Sequence, residues 1–407
     1  MKCGLLGRKL GHSYSPQIHA RLGDYSYELF EKEPEELEGF LKNGDFSSIN
    51  VTVPYKKAVI PYLDELSPLA QKLGAVNTVV RRGGKLIGHN TDHFGFLTMV
   101  RSCGLSVSGK KVLVLGSGGA SNTAVAALTD LGAKVVIISR SGENNYENLH
   151  LHSDAAAIVN TTPVGTYPNT DEAPLSLDFF PRLEGVLDVI YNPARTMLLR
   201  QAEDRGLTTC NGLLMLVAQA KEASEWFTGT MISDEKISQI HRILRQQMEN
   251  IILIGMPGCG KSTIGKALAT KLGKTFADAD EKIASLAGKS IPEIFAQDGE
   301  TVFRDWETKA ISQLGKQSGL VIATGGGCVT REENQSILLQ NGTLFWLQRQ
   351  LDLLPTDGRP LSQSNRLEDL YRVRKPLYEA FADHVIDNNG DWDETVQKIL
   401  TLWEGTT

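Results

Sequence analysis

Cysteine is scarce and scattered in this 407-residue chain: Cys3, Cys103, Cys210, Cys259 and Cys328 include no C-x-x-C pair. That argues against a disulfide framework or a zinc site and points to cytoplasmic surroundings. Long apolar runs are missing as well. No stretch approaches the roughly 20 apolar residues of a membrane span, and the opening MKCGLLGRKLGHSYSP lacks the apolar core of a signal peptide. Excess positive charge is absent: 42 Lys and Arg stand against 48 Asp and Glu, for a net charge of −6. Neither a nucleic-acid partner nor a membrane partner is expected, and small anionic ligands would need locally placed Arg and Lys. There is no repeat and no low-complexity tract. With 41% hydrophobic and 22% charged residues, the composition is that of an ordinary globular protein of two or three domains. It says nothing of oligomeric state.

Apolar strand-like runs alternate with helical patterns nearly throughout, which predicts layered α/β architecture. Three strand–glycine–helix units stand out: Cys3–Leu6 before GRKLGHS, Lys111–Leu115 before GSGGAS, and Ile251–Ile254 before GMPGCGKST. Each of the last two would open a doubly wound parallel sheet at its phosphate-binding end. Ile237, Ile240, Ile243 and Leu244 form one apolar stripe, predicting a helix over Ser233–Met248 with Ser233 as N-cap. That helix would close the first half and run almost directly into the second.

Residues 255–263 fit G-x-x-x-x-G-K-S/T after an apolar strand. In such a P-loop, Gly258, Cys259 and Gly260 turn backbone N–H groups inward as an anion nest, and the helix predicted from Thr263 to Leu272 points its positive end at the phosphates. Lys261 reaches the outer phosphates, and the Ser262 hydroxyl serves Mg2+. The loop implies ATP or another triphosphate but names no acceptor. Behind it comes a short strand, Thr275–Ala277, and then Asp278-Ala-Asp280. Two carboxylates two residues apart on a strand end would face one side, one for magnesium and one for an acceptor proton. Two bare aspartates fit a solvated turn equally well. Further on stand Gly299-Glu-Thr-Val-Phe-Arg304, Gly325-Gly326-Gly327, Gly358-Arg359-Pro360-Leu361 and Arg374-Lys-Pro376-Leu377-Tyr378.

This ordered set, covering nearly all of 250–390, resembles the shikimate kinases. The resemblance implies that Asp280 holds and deprotonates the acceptor hydroxyl, that Arg304 and Arg374 clamp the shikimate carboxylate, and that Gly326 adds backbone contact. It implies Ser262 and Asp278 at magnesium, Thr263 in the nucleotide site, and Arg359 on a lid against the transferring phosphoryl group. Paired arginines suit a carboxylate because a guanidinium forks it bidentately. The chain departs from the family in two places. Leu351–Gly358 is short and lacks the arginine that the family's lid carries upstream of R-P-L, and no basic residue stands near Asn389.

In the first half, Lys111–Leu115 leads into Gly116-Ser117-Gly118-Gly119-Ala120-Ser121, a G-x-G-x-x-G variant with serine in third place. The next strand, Lys134–Ile138, ends in Ser139-Arg140-Ser141, which puts a base 24 residues after Gly116 where an NAD site wants an acid. That favours the 2′-phosphate of NADP(H). Three polar-ended elements lie outside this fold: Asn50-Val-Thr52-Val-Pro54-Tyr-Lys56, read as a strand running into a lysine; Gly74-Ala-Val-Asn77-Thr78; and Gly88-His-Asn90-Thr91-Asp92. A Lys–Asp pair suits ketone reduction, with lysine donating a proton as hydride arrives. Spacing alone equally allows a loop lysine and a helix-capping aspartate.

Across 1–247 the chain resembles shikimate dehydrogenases, through His12-Ser13-Tyr14-Ser15-Pro16, N-V-T-V-P-x-K, G-A-V-N-T, N-T-D, G-x-G-G-A-S, Asp188-Val-Ile-Tyr191-Asn-Pro and Asn211-Gly212-Leu-Leu-Met-Leu-Val-Ala-Gln219-Ala. The resemblance implies Lys56 and Asp92 as the catalytic pair and Ser13 and Ser15 at the substrate carboxylate. Thr52, Asn77, Asp92, Tyr191 and Gln219 fall at the ring hydroxyls, Gly116–Ala120 and Arg140 at the NADP phosphates, and Val189 and Gly212 near the nicotinamide. The departures here are a missing second basic residue after Arg140, Leu214 in place of a glycine, and only 17 residues between Arg140 and Ile158.

The expected organisation is a substrate-binding domain of 1–94 plus 213–247, a Rossmann NADP domain of 95–212, and a P-loop kinase domain of 249–407. The expected function is NADPH-dependent reduction of 3-dehydroshikimate to shikimate, then ATP- and Mg2+-dependent phosphorylation of shikimate. The alternatives are an active kinase fused to a degenerate docking module, or to a quinate/shikimate dehydrogenase of altered cofactor preference.

Overall fold

The computed structural model describes residues 1–11, 13–354 and 367–406. His12, Arg359 and the rest of the R-P-L motif lie outside the described residues. The chain splits into two compact units. One is Met1–Thr166, Asp171–Tyr191 and Thr196–Arg242; the other is Ile243–Thr407 with Tyr167–Thr170 and Asn192–Arg195.

The first unit holds two sheets. In the first sheet β1 (Lys2–Gly7), β2 (Ser26–Glu31), β3 (Ser48–Val51), β4 (Glu65–Leu66), β5 (Thr78–Arg82) and β6 (Lys85–His89) take the order β2-β1-β3-β5-β6-β4. Pairing is parallel except for β3–β5 and β5–β6. The second sheet is wholly parallel: β7 (Lys111–Leu115), β8 (Lys134–Ile138), β9 (Ala157–Asn160), β10 (Gly185–Asp188) and β11 (Thr208–Cys210), in the order β11-β10-β9-β7-β8. Val112 to Leu115 are fully buried, as befits a central strand covered on both faces. Only a 3-10 turn, Leu149–His152, lies in the 18 residues, 139–156, between β8 and β9.

The sheet of the second unit is also parallel: β12 (Asn250–Ile254), β13 (Thr275–Asp278), β14 (Leu320–Ala323), β15 (Gly342–Gln348) and β16 (His384–Asp387), in the order β13-β14-β12-β15-β16. Ile251–Ile254, Val321 and Ile322 are completely buried and anchor its core. Among the described residues no helix is long and apolar enough to cross a membrane.

Local expectations shift in four places. The helix expected from Ser233 starts at Glu235, whose N–H donates to the Ser233 hydroxyl. The P-loop helix starts at Lys261 rather than Thr263. The strand before Lys56 stops at Val51, because Pro54 has no N–H to continue a ladder. Asp278 and Asp280 do not share a strand end. Asp278 ends β13 and caps the helix Ala279–Ala287, accepting the Asp280 N–H at 3.0 Å, and Asp280 sits in that helix's first turn.

Two candidate active sites

In the first unit, the turn after β3 carries Lys56. Its carbonyl accepts the Val76 N–H at 2.8 Å, which ties it beside Asn77. The Lys56 Nζ donates to Asp92 Oδ2 at 2.6 Å. Asp92 opens the helix Asp92–Ser102 and is 8% exposed. Its other oxygen accepts from Asn77 Nδ2 at 2.9 Å. The same amide nitrogen reaches Thr91 Oγ1 at 3.0 Å and Gln219 Oε1 at 3.4 Å. Asn77 is held in this orientation because its Oδ1 accepts the Thr91 N–H at 2.7 Å and the Thr78 hydroxyl at 3.1 Å. Behind it, Tyr27 donates to Asn50, and Asn50 donates to Thr78. A buried network this well satisfied fixes its members in one arrangement.

Gln219 reaches the site because the helices Asp92–Ser102 and Leu213–Thr228 approach closely at Gly95, where a Cβ would stand 2.6 Å from the Met215 carbonyl. Of the residues expected at the ring hydroxyls, Asn77, Asp92 and Gln219 meet. Tyr191 is instead edge-on to Tyr14, ring centres 6.2 Å apart, beside the turn in which Ser15 N–H donates to Ser13 Oγ at 3.2 Å. Burial pushes the Tyr191 hydroxyl above its usual pKa. Thr52 lines a recess of about 620 Å3 with Arg8, Lys9, Val53 and Pro54.

Glu222 escaped the sequence reading. It lies one turn beyond Gln219 on the same helix face, a spacing that could have revealed it. Its Oε2 is buried without a hydrogen-bond partner among the described residues. Burial raises its carboxyl to about 7, and the charges of Glu225 and Asp92 add to the shift.

The glycine-rich turn after β7 opens the helix Gly119–Asp130, and Gly118 at its N-cap has no side chain to cover the first N–H groups. Ser117, Gly118 and Arg140 are exposed. A helix N-terminus with a nearby exposed guanidinium fits a dinucleotide phosphate pair. Ser121, the apparent departure from the motif, donates its hydroxyl to the Gly116 carbonyl at 2.8 Å and closes the turn. Val189 and Gly212 meet directly: a Cβ on Gly212 would run into the Val189 carbonyl oxygen. The Asp188 carboxylate braces this corner, accepting from Ile190 N–H, Asn160 and Thr196. Burial lifts its pKa to about 6 against those hydrogen bonds.

In the second unit, a cavity of about 690 Å3 is lined by Gly258, Gly260, Lys261, Ser262 and Thr263 of the P-loop together with Asp278, Asp280, Arg304, Gly325–Gly327 and Arg374. The Lys261 Nζ donates to the Gly255 and Met256 carbonyls at 2.9 and 3.0 Å, so it lies folded over its own loop. Ser262 Oγ donates to Asp278 Oδ2 at 2.7 Å, which brings together the two residues expected at magnesium. Hard oxygen ligands of this kind, completed by water and phosphate, fit Mg2+. The Cys259 N–H is taken by the Met256 carbonyl, so of the expected nest it contributes least.

The three glycines of Gly325–Gly327 have three separate neighbours. A Cβ would meet Glu307 Oε1 at 2.5 Å from Gly325 and Pro257 Cδ at 2.6 Å from Gly326, and from Gly327 it would collide with the Arg304 guanidinium. Arg374 is 4% exposed and donates to the Gly326 carbonyl at 3.2 Å, and the Tyr378 hydroxyl donates to the same oxygen. Arg304 does not wait alone for a carboxylate. It pairs with Glu307 at 2.6 Å and Glu300 at 3.0 Å. Glu307 is 1% exposed and keeps one oxygen without a partner among the described residues. It was not singled out from sequence, although it stands at i+3 from Arg304.

Comparison with known proteins follows this division. The profile of the shikimate dehydrogenase substrate binding domain matches residues 5–79, and that of shikimate kinase matches residues 257–404. The chain is 35% identical over 264 residues to shikimate dehydrogenase (NADP(+)) of Clostridium perfringens strain 13, covering 60% of this chain and 97% of that protein. The crystal structure of shikimate dehydrogenase 1 from Peptoclostridium difficile superposes with a TM-score of 0.56 at 38% identity, covering 60% of this chain and 97% of that one. Shikimate 5-dehydrogenase from Thermus thermophilus, solved with NADP(H) and shikimate, gives 0.55 at 33% identity, covering 60% and 99%. The chain therefore belongs to the shikimate dehydrogenase family over its first three-fifths and carries a shikimate kinase domain behind it, which makes it a bifunctional shikimate-pathway enzyme.

Proposed function

We propose that residues 1–247 reduce 3-dehydroshikimate to shikimate with NADPH and that residues from 249 onward phosphorylate the 3-hydroxyl of shikimate with ATP and Mg2+. The observation that carries the first step is the Lys56–Asp92 contact of 2.6 Å inside a network of fixed amides and hydroxyls. Bound at the turn Gly116–Ala120 with Arg140 on the 2′-phosphate, NADPH supplies the hydride. Lys56 delivers a proton to the ketone oxygen, and Asp92 holds the ammonium in place. Asn77 and Gln219 bond ring hydroxyls, and Ser13 and Ser15 take the carboxylate, with Thr52 and Tyr191 completing the enclosure. A site built of hydroxyl-bonding groups rejects analogues that leave those groups unpaired.

For the second step, the carrying observation is that Asp280, Arg304 and Arg374 line the same cavity as the P-loop. Asp280 accepts the proton of the attacking hydroxyl. Arg374, and Arg304 steadied by Glu307, bind the carboxylate. Lys261 leaves its loop carbonyls for the phosphates, and Ser262 with Asp278 holds magnesium. Both substrates are small molecules, so neither step calls for a nucleic acid or a membrane. Five free cysteines accord with a cytoplasmic setting.

The test is a coupled assay with 3-dehydroshikimate, NADPH, ATP and Mg2+, run on the intact chain and on Lys56→Ala and Lys261→Ala. Lys56→Ala should lower NADPH consumption by about 10²- to 10⁴-fold and leave the kinase untouched; Lys261→Ala should do the reverse. ADP formed from added shikimate without any NADPH consumption would mean that the first half is a docking module. Faster turnover of quinate than of shikimate would change the substrate.

A further inference from the structure

Arg349 has no part in either step so far. It follows the last residue of β15, at the carboxyl edge of the kinase sheet, where parallel sheets present their ligands. Its chain neighbours are pinned. Asn388 N–H donates to the Gln348 carbonyl and Gln350 N–H donates to Asn389 Oδ1, both at 2.8 Å. The Asn388 side chain donates to the Cys259 carbonyl at 2.6 Å, so one asparagine fixes both the P-loop and the strand end that carries Arg349. The guanidinium stands over the P-loop turn, with Nη1 4.0 Å from where a Cβ on Gly260 would be. It lines the same cavity as Lys261, Ser262 and Asp280.

The other two arginines of this cavity are engaged, Arg304 by carboxylates and Arg374 by a carbonyl. The Nε of Arg349 is buried and has no hydrogen-bond partner among the described residues. A half-buried cation set against an anion-binding turn, with no counter-charge among those residues, is arranged to receive an anion. The P-loop beside it already selects which anion: a phosphate chain.

We propose that Arg349 binds the phosphate chain of the nucleoside triphosphate seated on the P-loop, a second basic group there besides Lys261. This rests on the reading of the cavity as an ATP site. Arg349→Met keeps the aliphatic stem and removes the charge; Arg349→Lys keeps the charge without the fork. Calorimetry with ADP and with tripolyphosphate, which has no base or sugar, reads binding apart from turnover. For Arg349→Met, the dissociation constants of both probes should rise about tenfold or more, and kcat/KM for ATP should fall in step. KM for shikimate should stay unchanged, and Arg349→Lys should recover part of the loss. Unchanged affinity for both probes overturns the proposal. Weaker ADP with unchanged tripolyphosphate also overturns it, since the contact would then be to the base. A rise in KM for shikimate without recovery by lysine overturns it in favour of a structural or substrate-side role. If the unaltered chain binds tripolyphosphate yet phosphorylates no shikimate, the kinase reading fails, and the Arg349 assignment is still decided by the two binding constants.

Discussion

At the scale of single residues, the pair Arg304–Glu307 decides how the kinase site is built. Both are almost fully buried and lie 2.6 Å apart on one helix. Burial raises the Glu307 carboxyl pKa, and the Arg304 charge beside it pulls the other way. Removing one partner of a buried pair leaves the other charge uncompensated. Glu307→Ala is expected to cost the kinase half about 3–5 kcal/mol in denaturant unfolding and to raise KM for shikimate, because Arg304 loses the group that aims it. Arg304 was legible in G-E-x-x-F-R. Glu307 was not, because a lone glutamate in a helical stretch reads as a solvated face until its burial is known.

At the scale of elements, the contact of Gly212 with the Val189 carbonyl sets where the helix Leu213–Thr228 begins, and hence where Gln219 and Glu222 point. A methyl at Gly212 would have to move backbone, since its nearest neighbour is a carbonyl oxygen. Gly212→Ala is therefore expected to lower dehydrogenase stability by about 1–3 kcal/mol or more. It should also raise KM for NADPH, with kinase rates unchanged; thermal melting and the two separate assays check this. The strands β7 and β14 fall where their apolar runs placed them, because strands covered on both faces must be continuously hydrophobic. The Asp278–Asp280 motif was misplaced onto a strand because its spacing of two fits either a pleat or a capped helix start. Only the hydrogen bond from the Asp280 N–H decides between them.

At the scale of the whole molecule, titration of Glu222 couples the dehydrogenase site to stability. Its carboxyl is raised from 4.5 to about 7, so the folded chain holds this proton more tightly than the unfolded one. The sign follows: the contribution is full below about pH 4.5 and is lost as pH rises to about 7. Glu222→Gln should remove that dependence. Between about pH 4.5 and 7, its melting temperature should fall less than that of the unaltered chain in parallel melts. An identical slope in both proteins would sink the assignment. Holding both activities in one chain gives only a local-concentration effect, from which a small acid diffuses away.

The sequence by itself determined the α/β class, the phosphate-binding turns and the order of the two activities. Those signals are local: glycine where backbone must turn, lysine and serine at fixed steps after it, apolar runs for buried strands. Tertiary structure alone decided which of them meet. Lys56, Asn77, Asp92 and Gln219 are spread over more than 160 positions and converge only because strand ends and two close-packed helices bring them to one point. Burial settled the rest. It turned Glu307 from a surface charge into the brace of Arg304 and shifted Glu222 toward neutrality. It also left Arg349 beside the P-loop with no counter-ion among the described residues, because charge in a low-dielectric interior must find a partner, change its protonation or await a ligand.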